Sequence, residues 1–373
     1  MEPGYDLPAM IGMTEAEVQT PALILDLDAL EANVALMAAE ARSMGMALRP
    51  HAKMHKSADI ALMQMAAGAA GVCCQKVSEA EALVRAGVGD VLISNEVRDG
   101  VKLARLARLA GRARVAVCVD DGGGVAELAA AVAEAGTTVR VLVELDVGAG
   151  RCGVAPGAAA VALAQAVAAA PGLTFGGLQA YHGSAQHLRT EAERAAAIAD
   201  VVGKVRETLA ALAAAGIAVP CVTGAGTGSY RHEGASGVFT ELQCGSYAFM
   251  DADYGRNLDA GGAIASPFRN AMFVLAGVMS KTKPGHAVCD AGLKVMSMES
   301  GLPVSTRTGV EYVGASDEHG TLADPGDLLR PGDRLRLVPG HCDPTVNLHD
   351  WYVGLRGGVV ECLWPVTARG KHF

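Results

Sequence analysis

The chain has 373 residues, 51% of them hydrophobic and 19% charged, enough to build a large core and too apolar for a disordered chain. Its formal net charge of −9 argues against a nucleic-acid binder, because phosphate recognition needs a concentrated basic surface. Nine cysteines without a CxxC pair read as reduced, buried thiols, and no apolar run reaches the ~18 residues of a spanning helix, so a cytoplasmic protein without membrane contact is expected.

The first apolar run, Ala22–Leu27, predicts a strand, and a helix is expected from about Leu27 to Met44. From about residue 47 to 250, β-rich runs alternate with helical stretches rich in Ala, Leu, Glu and Arg. Strands are predicted at Ala47–Lys53, Gly71–Lys76, Asp90–Asn95, Arg114–Asp120, Val139–Val147, Phe175–Gly183, Pro220–Gly224 and Val238–Tyr247. Helical segments between them, such as Val77–Gly87 and Gly124–Gly136, end in glycine, a common helix stop. Eight successive βα units predict a closed (β/α)8 TIM barrel over residues 28–262, with an open doubly wound sheet as the competing arrangement. Past residue 265 the pattern changes to strand-like runs (Met272–Met279, Ala287–Asp290, Glu311–Val313, Arg334–Val338, Trp351–Leu355) separated by Pro-Gly and Gly-Gly turns. Residues 263–373, joined by residues 1–27, are expected to form an antiparallel β domain.

Barrel enzymes carry their chemistry at the C-terminal ends of the strands, and polar residues gather there in every unit. Strand one ends in Arg49-Pro-His51-Ala-Lys53-Met-His55-Lys56, strand two in Gln75-Lys76, strand three in Asn95-Glu96 and strand four in Asp120-Asp121. Strand five ends in Glu144-Leu-Asp146 and runs on to Arg151; strand six ends in Gln179-Ala-Tyr181-His182. A period of two turns Arg49, His51 and Lys53 into the barrel and Leu48, Pro50 and Ala52 toward the helices. An inward lysine among basic neighbours is desolvated and repelled, which lowers its pKa and makes it a nucleophile toward a carbonyl or an aldehyde cofactor. A salt bridge at the rim is the structural alternative for Lys53, and Lys56 lies beyond the strand end. Strand seven ends in Thr223-Gly-Ala-Gly226-Thr227-Gly228-Ser-Tyr230 and strand eight in Gln243-Cys-Gly245-Ser246-Tyr247. Loops in these two positions are the usual phosphate seat of such barrels.

In the β domain, Pro339-Gly-His341-Cys-Asp343-Pro-Thr345 places an imidazole and a carboxylate on one face of an extended segment. Together they offer two ligands to a divalent ion, with substrate and water to complete its shell. His349, Asp350 and the Asp317-Glu-His319 run are weaker candidates.

These runs, together with Gly71–Glu79, Asp146–Gly153, Gln179–Ser184 and Glu241–Asp251, resemble the D-threonine aldolase family across about Thr20 to Gly370. The opening Gly4-Tyr-Asp-Leu-Pro8 and the Lys53–Ser57 segment look most like its 3-hydroxy-D-aspartate aldolase branch. The resemblance implies an alanine-racemase-type fold, a pyridoxal phosphate barrel plus a β domain, forming a homodimer. It makes Lys53 the lysine that carries pyridoxal 5'-phosphate, and His341 and Asp343 the ligands of a divalent cation, Mn2+ or Mg2+. It places Gln75, Arg151, Tyr181, Thr223 and Gln243 around the cofactor, and Gly226, Thr227, Gly228, Gly245, Ser246 and Tyr247 at its phosphate. Gln243 sits where racemase relatives carry an arginine facing the ring nitrogen.

The implied reaction is Cα–Cβ cleavage of D-3-hydroxy amino acids, D-threonine or 3-hydroxy-D-aspartate, to glycine and an aldehyde or glyoxylate. The base could be His55, His182, His187 or a metal-bound water, among which the sequence does not choose, and His51 or Arg231 could meet a second substrate carboxylate. Two competing readings are a dehydratase releasing ammonia and a keto acid, a reading kept open by Cys342, and a non-catalytic pyridoxal phosphate carrier. The residues after 265, with their His341 and Asp343, disfavour the carrier. A metal hydrolase without the cofactor is more distant, since it leaves Lys53 and the glycine loop unexplained.

Overall fold

The computed structural model describes residues 1–373 and consists of two sheets. The first strand, β1 (Ala22–Asp26), hands over at once to a helix, Leu27–Ser43, whose first turn is capped by the Asp26 carboxylate accepting from the Ala29 N–H. Then come the barrel strands: β2 (Ala47–Leu48), β3 (Val72–Cys74), β4 (Asp90–Glu96), β5 (Arg114–Val119), β6 (Val139–Glu144), β7 (Leu173–Ala180), β8 (Val222–Gly224) and β9 (Glu241–Leu242). All their pairings are parallel, in the order β2-β9-β8-β7-β6-β5-β4-β3. The two ends of this order meet just beyond β2. The Cys73 N–H donates to the Pro50 carbonyl and the Ala52 N–H to that of Cys73, which closes the ring. Strands one and eight are much shorter than the sequence predicts, although backbone bonds from the Arg49 N–H to the Leu242 carbonyl and from the His51 N–H to the Cys244 carbonyl continue their pairing toward the mouth before the chain turns at Ala52.

Alternation along the strands separates two apolar layers. Val72, Val91, Ile93, Val117, Val141 and Val143 pack against the surrounding helices, whereas Cys73, Leu92, Ala116, Cys118 and Leu142 fill the barrel interior. Below this thin inner layer sits an ionic plug. Buried Arg49 bonds Asp90 at 2.7 Å and Glu241 at 3.0 Å, and Arg114 reaches the second Asp90 oxygen at 3.0 Å. The inward direction expected of Arg49 is observed.

The second sheet contains β10 (Met272–Lys283), β11 (Gly285–Cys289), β12 (Val304–Ser305), β13 (Glu311–Ala315), β14 (Gly320–Asp324), β15 (Arg334–Val338), β16 (Trp351–Arg356) and β17 (Val359–Pro365), together with β1. It is mixed rather than purely antiparallel, since β1 pairs parallel with β16. These strands come from opposite ends of the chain, so no hairpin imposes an antiparallel direction. A continuous core joins the sheet to the barrel: Leu30, Val34 and Met37 of the first helix pack with Met272, Val274 and Tyr352, and with Met54, Tyr247 and Phe249 from the mouth. This packing sets the loop after β15 over the barrel. No helix is long and apolar enough to cross a membrane.

Candidate active site

The mouth of the barrel holds a cleft of about 490 Å³ lined by His51, Lys53, Gln75, Ser94, Ala149, Arg151, Gln179, Tyr181, Gly183, Ser184, His187 and Gln243. Lys53 reaches it from the turn after β2. Its Nζ lies 2.5 Å from Oδ1 of Asp343, which projects from the short helix Cys342–Val346 that follows β15. The carboxylate raises the lysine pKa well above its ordinary value, outweighing burial, and the lysine with His341 holds the Asp343 carboxyl far below the usual range against its own desolvation. The lowering expected from basic neighbours is therefore reversed: the sequence pattern shows the cations beside Lys53, but not the anion that the second domain brings over it.

His341 Nε2 stands 3.5 Å from Oδ2 of Asp343, while its Nδ1 is hydrogen-bonded to Glu299. Despite desolvation, these two carboxylates push the imidazole up to about 9. A ring nitrogen fixed by one carboxylate and a second nitrogen facing another is the arrangement of a metal-ligating histidine with its outer-shell partner. The pair sets one imidazole nitrogen and one carboxylate side by side, next to Lys53. The donor set fits a divalent cation.

The glycine loop also fits its assigned group. The backbone N–H groups of Gly226, Thr227 and Gly245 donate to no protein acceptor, and Gly226 and Thr227 are buried. Buried donors of this kind call for an anion. A Cβ at Gly226 would come within 2.4 Å of Gln186 Oε1, and one at Gly245 within 3.0 Å of the His51 carbonyl, so a side chain at either position requires a neighbour to shift. Gly228 behaves differently, because its N–H donates to Gln186 Oε1 at 2.9 Å. The Tyr247 N–H is taken by Thr227 Oγ1, and its buried ring turns into the core, where its hydroxyl accepts from Gln64. Ser246 is also largely buried.

On the cleft floor, Gln243 Nε2 donates to Gln179 Oε1 at 2.6 Å and to Thr223 Oγ1 at 2.8 Å, and Thr223 donates in turn to Glu241. A neutral amide thus occupies the position where the resemblance notes an arginine. Gln75 Nε2 lies 3.0 Å from His51 Nε2. His51 is buried beneath the cleft, and desolvation together with Lys53 holds its pKa well below the ordinary value. Desolvation raises the Tyr181 phenol. Arg151 Nη2 lies 3.8 Å from Glu144.

The histidines proposed as bases separate. His55 is fully buried outside the cleft lining, with Nδ1 accepting from the Ser57 N–H at 3.1 Å. His182 Nδ1 faces Ser184 Oγ, and its ring packs near Gly148 rather than lining the cleft. His187 does line it, oriented by Asp253 Oδ2 at 2.5 Å from Nδ1. Arg231 turns away to Glu40 and the buried thiol of Cys342 sits in the core, while Lys56 pairs with Glu79 at 2.9 Å. Glu299, Asp253 and Gln186 went unnoticed in the sequence. The rule that a ligating or basic histidine needs a partner on its other nitrogen calls for acids such as the first two, but does not say where in the chain they lie.

The alanine racemase N-terminal domain model matches residues 25–253, and the serine dehydratase domain model matches residues 271–355. The chain is 54% identical to a 3-hydroxy-D-aspartate aldolase of Paracoccus denitrificans (strain Pd 1222), over 100% of this chain and 97% of that protein. This chain belongs to the D-threonine and 3-hydroxy-D-aspartate aldolase family. The crystal structure of a family member, the D-threonine aldolase of Filomicrobium marinum, superposes with a TM-score of 0.95 at 53% identity, covering 98% of this chain and 100% of that one. A D-threo-3-hydroxyaspartate dehydratase of Delftia sp. (strain HT23) is a more distant relative of the family member described here, at 30% identity over 88% of this chain and 92% of that protein.

Proposed function

We propose that this aldolase-family chain cleaves D-3-hydroxy amino acids, 3-hydroxy-D-aspartate or D-threonine, between Cα and Cβ to glycine and glyoxylate or an aldehyde, and catalyses the reverse addition. One observation carries the reading: a lysine amine, an imidazole and a carboxylate from two domains converge on one cleft beside a loop of unpartnered N–H donors. When bound, pyridoxal phosphate supplies the electron sink for the cleavage and a divalent ion such as Mn2+ or Mg2+ supplies a Lewis acid for the β-hydroxyl. Lys53 is the residue that carries the first, and His341 and Asp343 hold the second, with Glu299 fixing the His341 ring.

The N–H groups of Gly226, Thr227 and Gly245 fix the phosphate, and the neutral Gln243 amide leaves the floor of the cleft without a cation. His187, oriented by Asp253, is the histidine placed to hold or move a proton at the cleft, the role the sequence leaves open between it, His55 and His182. Homodimerisation and a cytoplasmic location belong to the same reading.

The test is product analysis with D-threonine and 3-hydroxy-D-aspartate, with and without Mn2+ or Mg2+. Metal-dependent release of glycine with acetaldehyde or glyoxylate is expected. Ammonia with a keto acid would make the chain a dehydratase, and turnover of neither would refute the lyase.

A further inference from the structure

A second group of ligating side chains lies beside the cleft and has no part in the reading above. Glu96 ends β4, Asp120 follows β5, and Cys152 stands on the loop after β6. One oxygen or sulfur atom from each lies within 4.8 Å of the others. Glu144, the last residue of β6, stands next to this group of three, against Glu96. Its carboxyl faces that of Glu96, and its side chain is only 6% exposed.

The polar atoms here lack partners. Both Glu96 oxygens and Glu144 Oε2 are buried without a hydrogen bond. Asp120 accepts from the Gly153 N–H at 3.2 Å, and the guanidinium of Arg151 stands 3.8 Å from the other Glu144 oxygen. Burial, then repulsion from Glu96, pushes the Glu144 carboxyl up to about 8. A buried carboxylate oxygen without a donor is costly. A proton shared between Glu96 and Glu144, with the Cys152 thiol beside Glu96 and the Cys118 thiol beside Glu144 as further donors, is the arrangement that competes with an ion here.

We propose that Glu96, Asp120, Glu144 and Cys152 form a second divalent-cation site. Three carboxylates favour a hard ion, whereas the sulfur disfavours Mg2+ and Ca2+, which leaves Mn2+ and the more sulfur-tolerant Zn2+; Mn2+ is the ion that the test uses. The donors come from three adjacent strand ends, which gives the site a rigid frame. Arg151 lines the cofactor cleft from the same loop as Cys152, so an ion here would pin the segment from which that arginine projects.

This site shares no residue with His341 and Asp343, and the two can be emptied separately. The experiment is the Mn2+ content of the holoenzyme after gel filtration, with affinity from electron paramagnetic resonance. Wild type should hold about two ions per chain, H341A/D343A about one, E96Q/E144Q about one, and the combined variant none. An E96Q/E144Q protein that binds as many ions as wild type would overturn the proposal. A wild-type count of about one, kept in H341A/D343A and lost in E96Q/E144Q, would uphold this site and overturn the reading of His341 and Asp343.

The unmutated chain offers a second measurement that does not depend on the variants folding. Mn2+ should slow alkylation of Cys152 by about tenfold or more, leaving that of the similarly half-buried Cys221 and Cys362 unchanged. Equal Cys152 rates with and without Mn2+ would refute the site.

Discussion

Lys53 Nζ and Asp343 Oδ1 lie 2.5 Å apart although 290 positions separate the two residues in the chain. The first sits at the barrel mouth and the second on the helix after β15, so this ion pair ties the proposed cofactor lysine to the proposed metal-ligand pair. In that reading Asp343 has two roles to divide, partner of an ammonium group and ligand of an ion. Replacing either residue changes the surroundings of the other.

Lys53→Ala should abolish both turnover and covalent retention of pyridoxal phosphate after borohydride reduction, as read by mass spectrometry. The same change leaves the mostly buried Asp343 without its ammonium partner, at a cost of about 1–3 kcal/mol in the cofactor-free protein. A reduced adduct found on Lys56 would move the assignment. Its buried pairing with Glu79 argues that no such adduct forms.

Asp343→Ala should weaken activation by divalent ions by at least about a hundredfold while pyridoxal phosphate stays bound. Removing one of only two protein ligands costs more than the ~10–100-fold typical of an outer-shell loss. Glu299→Gln tests that smaller effect. It keeps the shape but removes the charge that fixes His341, so metal affinity should fall by about 10–100-fold with the cofactor spectrum unchanged. An unaltered metal response in Asp343→Ala would refute the ligand assignment; an unaltered response in Glu299→Gln alone would confine the site to His341 and Asp343.

The sequence made some of this geometry readable and hid the rest for a physical reason. Arg49 and His51 follow from the period of two along the first barrel segment, whereas Lys53 reaches the cleft from the turn beyond it and Asp343 from the short helix Cys342–Val346, not from the extended segment that the His-x-Asp spacing suggested. The glycines after β8 announce a loop free of side chains. What joins these pieces is non-local: nothing near Glu299 in the chain predicts that it meets His341, and nothing near Gln186 predicts that it accepts from the Gly228 N–H. The same limit explains the mixed sheet, whose parallel β1–β16 pair brings together strands more than 300 residues apart, and the reversal of the lysine's pKa shift. His55 shows the opposite failure. It lies in the most motif-rich segment of the chain, yet the turn after β2 sends it into the core.

Gly226→Ala should weaken pyridoxal phosphate binding without unfolding the chain. The added methyl would meet Gln186 Oε1 at 2.4 Å, and either the glutamine or the loop must shift, at about 1–3 kcal/mol. That corresponds to roughly a tenfold to hundredfold rise in the cofactor dissociation constant if the strain falls on the cradle. Cofactor affinity equal to wild type would show that Gln186 yields instead and that the cradle keeps its shape.

The buried His55 gives the fold a pH dependence that is separate from catalysis. Desolvation is the main cause that lowers its pKa from 6.5 to about 4, offset in part by the Gln64 side chain and then by the hydrogen bond to the Ser57 backbone. Between these values the unfolded chain binds the proton and the folded chain does not, so stability rises with pH. The contribution is complete above about pH 6.5 and is lost as pH falls through about 4, a span of about 3 kcal/mol. Chemical denaturation of the apoprotein from pH 7 to 4 should therefore show a falling unfolding free energy. His55→Asn keeps an acceptor for the Ser57 N–H and removes the titrating group, so it should lower stability at pH 7 through lost packing and flatten the acid limb. If the His55→Asn curve keeps the full wild-type slope between pH 6.5 and 4, other buried groups govern the acid limb and His55 does not.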